Sequence, residues 1–226
     1  MEHKILLVRH GESIQNNHTN DQFLPDHAIP LTDNGREQAV KAGEFLESYL
    51  GSGKINQVHT IWTSSYKRTR ETAEGINSVL KLPQRIIKED DMLVEMQFGL
   101  FHNLTKEECA EKFPYEWQRY MMERQYNGKF FARRPGGESP FDVTIRQKLF
   151  IDTLYRDINK LDKPSIFIIV GHGGSITSFR KAFFHYSYEW YAAAKNPGNC
   201  SIQLIRLSDT GNRDVGYIYG YAEKEN

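Results

Sequence analysis

The chain has 226 residues, 39% hydrophobic and 26% charged, and its 29 Lys and Arg balance 29 Asp and Glu, so its formal net charge is zero. That composition is ordinary for a soluble globular protein and excludes a general attraction to nucleic acid or to an anionic membrane surface. Any anion binding must come from a local cluster.

Ile5–Leu6–Leu7–Val8 reads as a buried strand. It is too short for a signal segment or a membrane span, and Arg9–His10 interrupts it. It runs into Arg9–His10–Gly11–Glu12–Ser13, with Asn16 just beyond. Open α/β sheets place ligand sites at such strand ends. Arg9 offers a fork of donors suited to phosphate, His10 a nucleophilic imidazole, and Gly11 room for backbone to approach an anion. Ser13 to Pro30 is polar and reads as a loop, with a short helical start near Ser13. Thr32 or Asp33 then caps a helix whose apolar positions are Ala39, Ala42, Leu46 and Leu50, stopped by Gly51–Ser52–Gly53.

Val58 to Trp62 is a second strand ending at Thr63–Ser64, and Arg68 to Leu80 a second helix. Arg85 to Lys88 is a short strand, after which the chain passes through Glu95 to Phe98–Gly99. Thr105 to about Tyr126 is helical, Gly128 to Pro140 a loop, and Ser139 caps a long helix to about Leu161 with Leu149 among its apolar markers. Ser165 to Val170 is a buried strand followed directly by Gly171–His172–Gly173, then a helix from Ile176 to Phe184. Asn196–Pro197–Gly198–Asn199 is a turn, and Ser201–Leu207 and Val215–Tyr219 are closing strands. Strands alternating with helices predict an α/β fold, a mostly parallel central sheet covered on both faces. One domain is expected over residues 1–226, with an insertion at about 96–140 lying over the sheet edge.

In a parallel sheet the C-terminal strand ends point one way, so Arg9–His10, Thr63–Ser64 with Arg68, and His172 converge. With Glu95 they form a set suited to phosphoryl transfer. The arginines neutralise phosphate oxygens, one imidazole attacks phosphorus, the other donates to an oxygen, and a carboxylic acid protonates the leaving alkoxide. No metal ligand spacing is apparent. Cys109 and Cys200 are too few for a disulfide framework, so reduced thiols in a cytoplasmic protein are expected. The N-x-S/T triplets at Asn17, Asn103 and Asn199 are read as chance matches.

Leu7–Val8–Arg9–His10–Gly11–Glu12–Ser13 with Asn16 resembles the signature of the histidine phosphatase (phosphoglycerate mutase-like) superfamily. The resemblance continues in order through Leu31–Thr32–Asp33–Asn34–Gly35, Thr63–Ser64 to Thr72–Ala73, Glu95 with Phe98–Gly99, Gly137–Glu138–Ser139 and Gly171–His172–Gly173. It covers about residues 4–207. It implies a three-layer α/β/α sandwich and a metal-independent phosphomonoester hydrolase. His10 would form a phosphohistidine, with Glu95 as acid and base. Arg9, Arg68 and His172 would complete the phosphate pocket, and Asn16, Gly11, Ser13 and Gly173 would bind substrate. Pro25–Asp26–His27–Ala28–Ile29–Pro30, Gly136–Gly137–Glu138–Ser139 and Asn196–Pro197–Gly198–Asn199 resemble a plant and fungal phosphoglycerate mutase-like branch.

Two alternatives accompany this reading: a mutase dependent on 2,3-bisphosphoglycerate, and a non-catalytic phospho-ligand-binding regulator. Dedicated mutases carry an arginine after the catalytic glutamate, adjacent arginines a helix further on, and Asn after the second His-Gly. This chain has Met96, Trp117–Gln118–Arg119 and Gly174 there, although Lys106 matches a mutase lysine. Fewer cations favour water as acceptor, hence a phosphatase without cofactor, acting on a small phosphate ester. The intact set around His10 argues against the regulator. Arg133–Arg134 reads as a solvated loop pair that could bind a second anion. The aromatics Tyr115, Trp117, Tyr120, Phe130 and Phe131 read as packing of the insertion onto the sheet. Ser175 lacks a nucleophile-elbow pattern, and His18, His27, His59 and His185 read as fillers. The sequence leaves open whether the chain is a monomer or a homodimer.

Overall fold

The computed structural model describes residues 1–16 and 24–221; Asn17 and His18 lie outside them. Six strands, β1 (Glu2–Arg9), β2 (Val58–Thr63), β3 (Ile87–Glu89), β4 (Ile166–Gly171), β5 (Ile202–Ser208) and β6 (Gly211–Tyr219), form a sheet in the order β3-β2-β4-β1-β5-β6. The pairings β1–β4, β2–β4 and β2–β3 are parallel, and β5 and β6 are added antiparallel.

Alternation along β1 builds both faces of the core, because successive side chains leave a strand on opposite sides. Leu6 and Val8 pack with Ala39, Ala42 and Leu46 of α1 (Asp33–Leu50) and with Ala73 and Ile76 of α3 (Lys67–Leu80); the four-residue α2 (Ser52–Ile55) lies between them in sequence. Ile5 and Leu7 pack on the other face, against later helices. The chain reaches these through the inserted region, α4 (Lys106–Lys112) and α5 (Pro114–Phe131), before entering α6 (Pro140–Ile158) and, after β4, α7 (Gly173–Phe184) and α8 (Tyr188–Ala193). Phe150 of α6 and Phe179 of α7 are fully buried there, each contributing roughly 2–3 kcal/mol by leaving water. The layers are therefore helix, sheet, helix, as the sequence predicts.

Several local expectations are corrected. Ser13 starts no helix; it forms an isolated antiparallel bridge with Leu31. Residues 84–86 are a turn of 3-10 helix, so β3 begins only at Ile87. The helical stretch after Thr105 is split, because Pro114 cannot continue the helix it follows and opens a new one. That new helix breaks at Gly128, whose φ of 78° and ψ of 161° are not helical, and a further helical turn reaches Phe131 inside the predicted loop. Leu149 is not core: it is 56% exposed on the outer side of α6. Both α2 and α8 were beyond periodicity, being under two turns each.

The inserted region has a small core of its own, Phe101, Cys109, Tyr120 and Ala132, with Trp117 packed against it. Its main packing partners are α6 and α8. The aromatics thus pack chiefly within the insertion and on the helical layer rather than on the sheet, and Tyr115 is exposed.

Candidate active site

Register alone brings the two histidines together. Arg9 pairs with Gly171 across the parallel β1–β4 ladder, and His10 N–H donates to Gly171 O at 3.0 Å. The next residues, His10 and His172, therefore emerge side by side at about the strand spacing of 4.8 Å. Their ring centroids lie 5.1 Å apart. On the other side of β4, Ser64 N–H donates to Val170 O, which places the Ser64 hydroxyl 2.9 Å from His172 Nε2.

Hydrogen bonding assigns the proton of the His10 imidazole. His10 Nδ1 lies 2.7 Å from Gly11 O. A carbonyl only accepts, so Nδ1 carries the proton and Nε2 presents its lone pair. At His172 the Ser64 hydroxyl, which can donate or accept, faces Nε2, and Nδ1 is a buried atom without a partner among the described residues. Ser64 is itself held by Tyr66 N–H at 3.2 Å and by Thr69 Oγ1 at 3.0 Å.

Two buried guanidinium groups flank the rings. Arg68, opening α3, donates from Nη1 to the carbonyl of Asp26 at 2.7 Å and to its carboxylate at 2.8 Å. Arg9 donates to Pro197 O at 2.7 Å. The Asn-Pro-Gly-Asn turn also braces the strand end, since Asn199 Nδ2 donates to His10 O and Cys200 N–H to Arg9 O. Burial, then Arg68, then Arg9, holds the His10 imidazole well below its usual value; burial, then Arg68, then His10 itself, does the same for His172. Both rings are therefore neutral near pH 7, the state in which His10 is a nucleophile.

This has a consequence for stability. Unfolded, each histidine titrates near 6.5, and folded, well below it. Below pH 6.5 the unfolded chain binds more protons, so the stability is full above that pH and is lost as pH falls. Each ring contributes up to about 1.4 kcal/mol per pH unit within its window. Thermal midpoints are expected to drop as pH falls below 6.5, and more shallowly in His172→Asn, as followed by circular dichroism.

Glu95 approaches from the insertion. Its Oε1 accepts Met96 N–H at 2.8 Å and would lie 2.8 Å from a Cβ built on Gly174, so the carboxylate sits over the start of α7, next to His172 and Gly173. Its segment is tied down on all sides. Ser175 Oγ donates to Val94 O at 2.6 Å. Arg146 donates to Met92 O at 2.6 Å and Glu95 O at 3.2 Å while pairing with both oxygens of Glu138. Glu138 Oε2 in turn accepts Gln97 N–H. Arg146 and Asp26 were not singled out as site residues from sequence; the only signal for Arg146 is a charge flanked by buried Val143 and Gln147 on one helix.

The remaining candidates hold the frame. A Cβ on Gly11 would lie 2.4 Å from Gly35 O, and Gly11 N–H donates to Thr72 Oγ1 at 3.0 Å, so this glycine is needed for contact with α1. Ser13 is buried and bonds Asn16 Oδ1 through both its N–H and its hydroxyl, which holds the exposed Asn16 at the rim. Glu12 accepts from Thr32 and Asn34. Both cysteines are free and buried, and burial pushes the Cys200 thiol up to about 12. Among the described residues no cluster could hold a metal ion, and no helix is long and apolar enough to cross a membrane.

The sequence profile of the histidine phosphatase superfamily (branch 1) matches residues 5–217. The phosphoglycerate mutase-like protein AT74 of Arabidopsis thaliana is 34% identical, over 98% of this chain and 70% of its own length. The broad-range acid phosphatase DET1 of Saccharomyces cerevisiae is 24% identical, over 93% of this chain and 87% of its own. In fold, the structure of a mycobacterial glucosyl-3-phosphoglycerate phosphatase superposes with a TM-score of 0.74 at 22% identity, covering 99% of this chain and 100% of that one.

Proposed function

The chain belongs to the histidine phosphatase superfamily (branch 1), and on that premise we propose that it hydrolyses a small phosphomonoester through a phosphohistidine on His10, without a metal. The observation that carries this is the 5.1 Å pairing of His10 and His172 beneath two buried guanidinium groups, with His10 Nδ1 committed to Gly11 O. His10 Nε2 attacks phosphorus in line. The ester P–O bond breaks, and Glu95 gives its proton to the departing alkoxide. Arg9, Arg68 and the His172 imidazole offset the charge spread over the equatorial oxygens. Glu95, now ionised, takes a proton from water, which attacks phosphorus; the P–N bond breaks and inorganic phosphate leaves.

Hydrolysis rather than transfer to a second alcohol is supported by the insertion. Met96 is buried and carries no charge, Arg119 is exposed and pairs with Glu123, and Gly174 has no side chain to offer. Gly174 instead leaves the space that Glu95 Oε1 enters. No dependence on 2,3-bisphosphoglycerate is expected.

Turnover of phenyl phosphate in EDTA tests the reading directly: it should persist, and its disappearance on chelation would refute a metal-free mechanism. The role of Glu95 is tested by leaving group. Glu95→Gln should lower kcat/KM, which reports only on steps up to P–O cleavage, by about a hundredfold or more on an alkyl phosphate and by no more than about tenfold on p-nitrophenyl phosphate, because a nitrophenolate departs with little need of a proton. Equal losses on both would remove Glu95 as the acid.

A further inference from the structure

Arg133 and Arg134 are neighbours in sequence and part company in the fold. Arg133 turns outward and pairs with Asp142. Arg134 turns inward, its Cζ 4.4 Å from the ring centroid of Phe98 and 5.9 Å from that of Tyr120, with Nη1 3.0 Å from Met96 Sδ. Among the described residues Arg134 has no carboxylate within ion-pair distance. A half-buried guanidinium laid against aromatic rings and a thioether has part of its donor set still open, and an anion is its natural partner.

Its place in the site is fixed by backbone. The loop carrying Arg134 is locked to the segment carrying Glu95: Leu100 N–H donates to Pro135 O at 3.0 Å and Glu138 N–H to Gln97 O at 2.8 Å. A Cβ on Gly99 would lie 2.1 Å from Pro135 O, and one on Gly137 2.4 Å from Gln97 O, so the two segments cannot approach this closely with other residues there. Met96, which Arg134 touches, and Glu95 Oε1 both border the same point above Gly174, at 3.8 and 2.8 Å from its built Cβ. The buried phenol of Tyr191 lies within electrostatic reach of both Glu95 and Arg134. Arg134 is therefore a cation with no ion-pair partner among the described residues, on the leaving-group side of the phosphate pocket and two side-chain contacts from the proposed acid.

We propose that Arg134 binds a second oxyanion on the alcohol portion of the substrate, so that the preferred substrates are small phosphomonoesters bearing a further carboxylate or phosphate. This rests on the phosphatase reading for the word substrate, but the subsite is measurable without turnover. Binding of three phosphonates that cannot be hydrolysed is compared by calorimetry: propylphosphonate, 3-phosphonopropionate and propane-1,3-bisphosphonate. On the wild-type chain at least one of the two doubly anionic probes should bind about tenfold or more tightly than propylphosphonate, as a charge-assisted contact requires; the stronger of the two identifies the anion. In Arg134→Gln that margin should fall to about twofold, with Arg134→Lys between, the loss expected when a bidentate fork becomes a point charge. Arg134→Met, which keeps the apolar contact with Phe98, replaces the glutamine variant if its thermal midpoint shows that it is unfolded. Arg133→Gln should keep the full margin. No margin on the wild type, a margin that survives Arg134→Gln or Arg134→Met, or an equal loss in Arg133→Gln would overturn the proposal. Failure of the phosphatase reading shows separately, as absence of phenyl phosphate turnover.

Discussion

Replacing His10 by alanine is expected to lower phenyl phosphate turnover by about 10⁴-fold or more, the scale seen when a covalent nucleophile is deleted. The effect should be the largest of any single substitution here, because no neighbour can take over. His172 Nε2 already faces the Ser64 hydroxyl, and Ser175 Oγ is spent on Val94 O. The imidazole at position 10 is also the one whose site-facing nitrogen is kept unprotonated by geometry, through Nδ1 and Gly11 O. Rapid acid or base quench of the wild-type reaction should trap a phosphorylated chain, more stable in base than in acid as a phosphoramidate is, and digestion should place the label on the peptide containing His10. His10→Ala should show none. A wild-type chain that turns over without ever carrying phosphate would point to direct attack by water and end the covalent mechanism.

Loss of Arg68 ranks second. Arg68→Ala should reduce kcat/KM by about 10³-fold, the lower end of what a transition-state guanidinium contributes in phosphoryl transfer. The side chain is 3% exposed and bound twice to Asp26, so its removal also leaves a partly buried carboxylate unpaired. Breaking such a pair should cost about 3 kcal/mol of stability in urea titration. The electrostatic signature separates a catalytic loss from mere misfolding. Arg68 is the leading charge depressing both His10 and His172. Without it both imidazoles bind protons more readily, so the acidic limb of kcat/KM should move to higher pH. Arg68→Lys keeps the charge and should leave that limb almost in place, while still losing activity because a point charge cannot grip Asp26 and phosphate together. A limb that does not move in Arg68→Ala would mean the guanidinium lies too far from the rings to stabilise phosphate.

The elements that were legible from sequence share one property: their signals are short-ranged. The apolar run before Arg9, the runs at Val58 and Ser165, and the spacing of Ala39, Ala42 and Leu46 each report which face of a strand or helix is buried, and the structure buries those faces. Arg9–His10, Thr63–Ser64 and His172 sit at the ends of neighbouring parallel strands, which leaves them little choice but to meet. What misled was context. Gly128 with the prolines beyond it reads as a loop, and its backbone does leave the helical region, yet a further helical turn to Phe131 follows it, with Phe130 packed on Tyr191. Leu149 fits a helical stripe but falls on the side of α6 that no layer covers. Gly11 beside two charged residues suggests anion approach but gives no hint that the Gly35 carbonyl of another element requires its missing side chain.

The amino-acid order by itself determined the alternation of strands and helices, the parallel core of the sheet, and which residues stand at its reactive edge, since each follows from periodicity and turn chemistry within a dozen residues. Only the tertiary structure decided that Asp26 seats Arg68, that Arg146 and Glu138 clamp the segment bearing Glu95, and that of two adjacent arginines one pairs with Asp142 while the other lies against Phe98 and Met96. Those facts depend on pairs of residues far apart in the chain, whose meeting is set by register and layer packing and leaves no mark on local pattern.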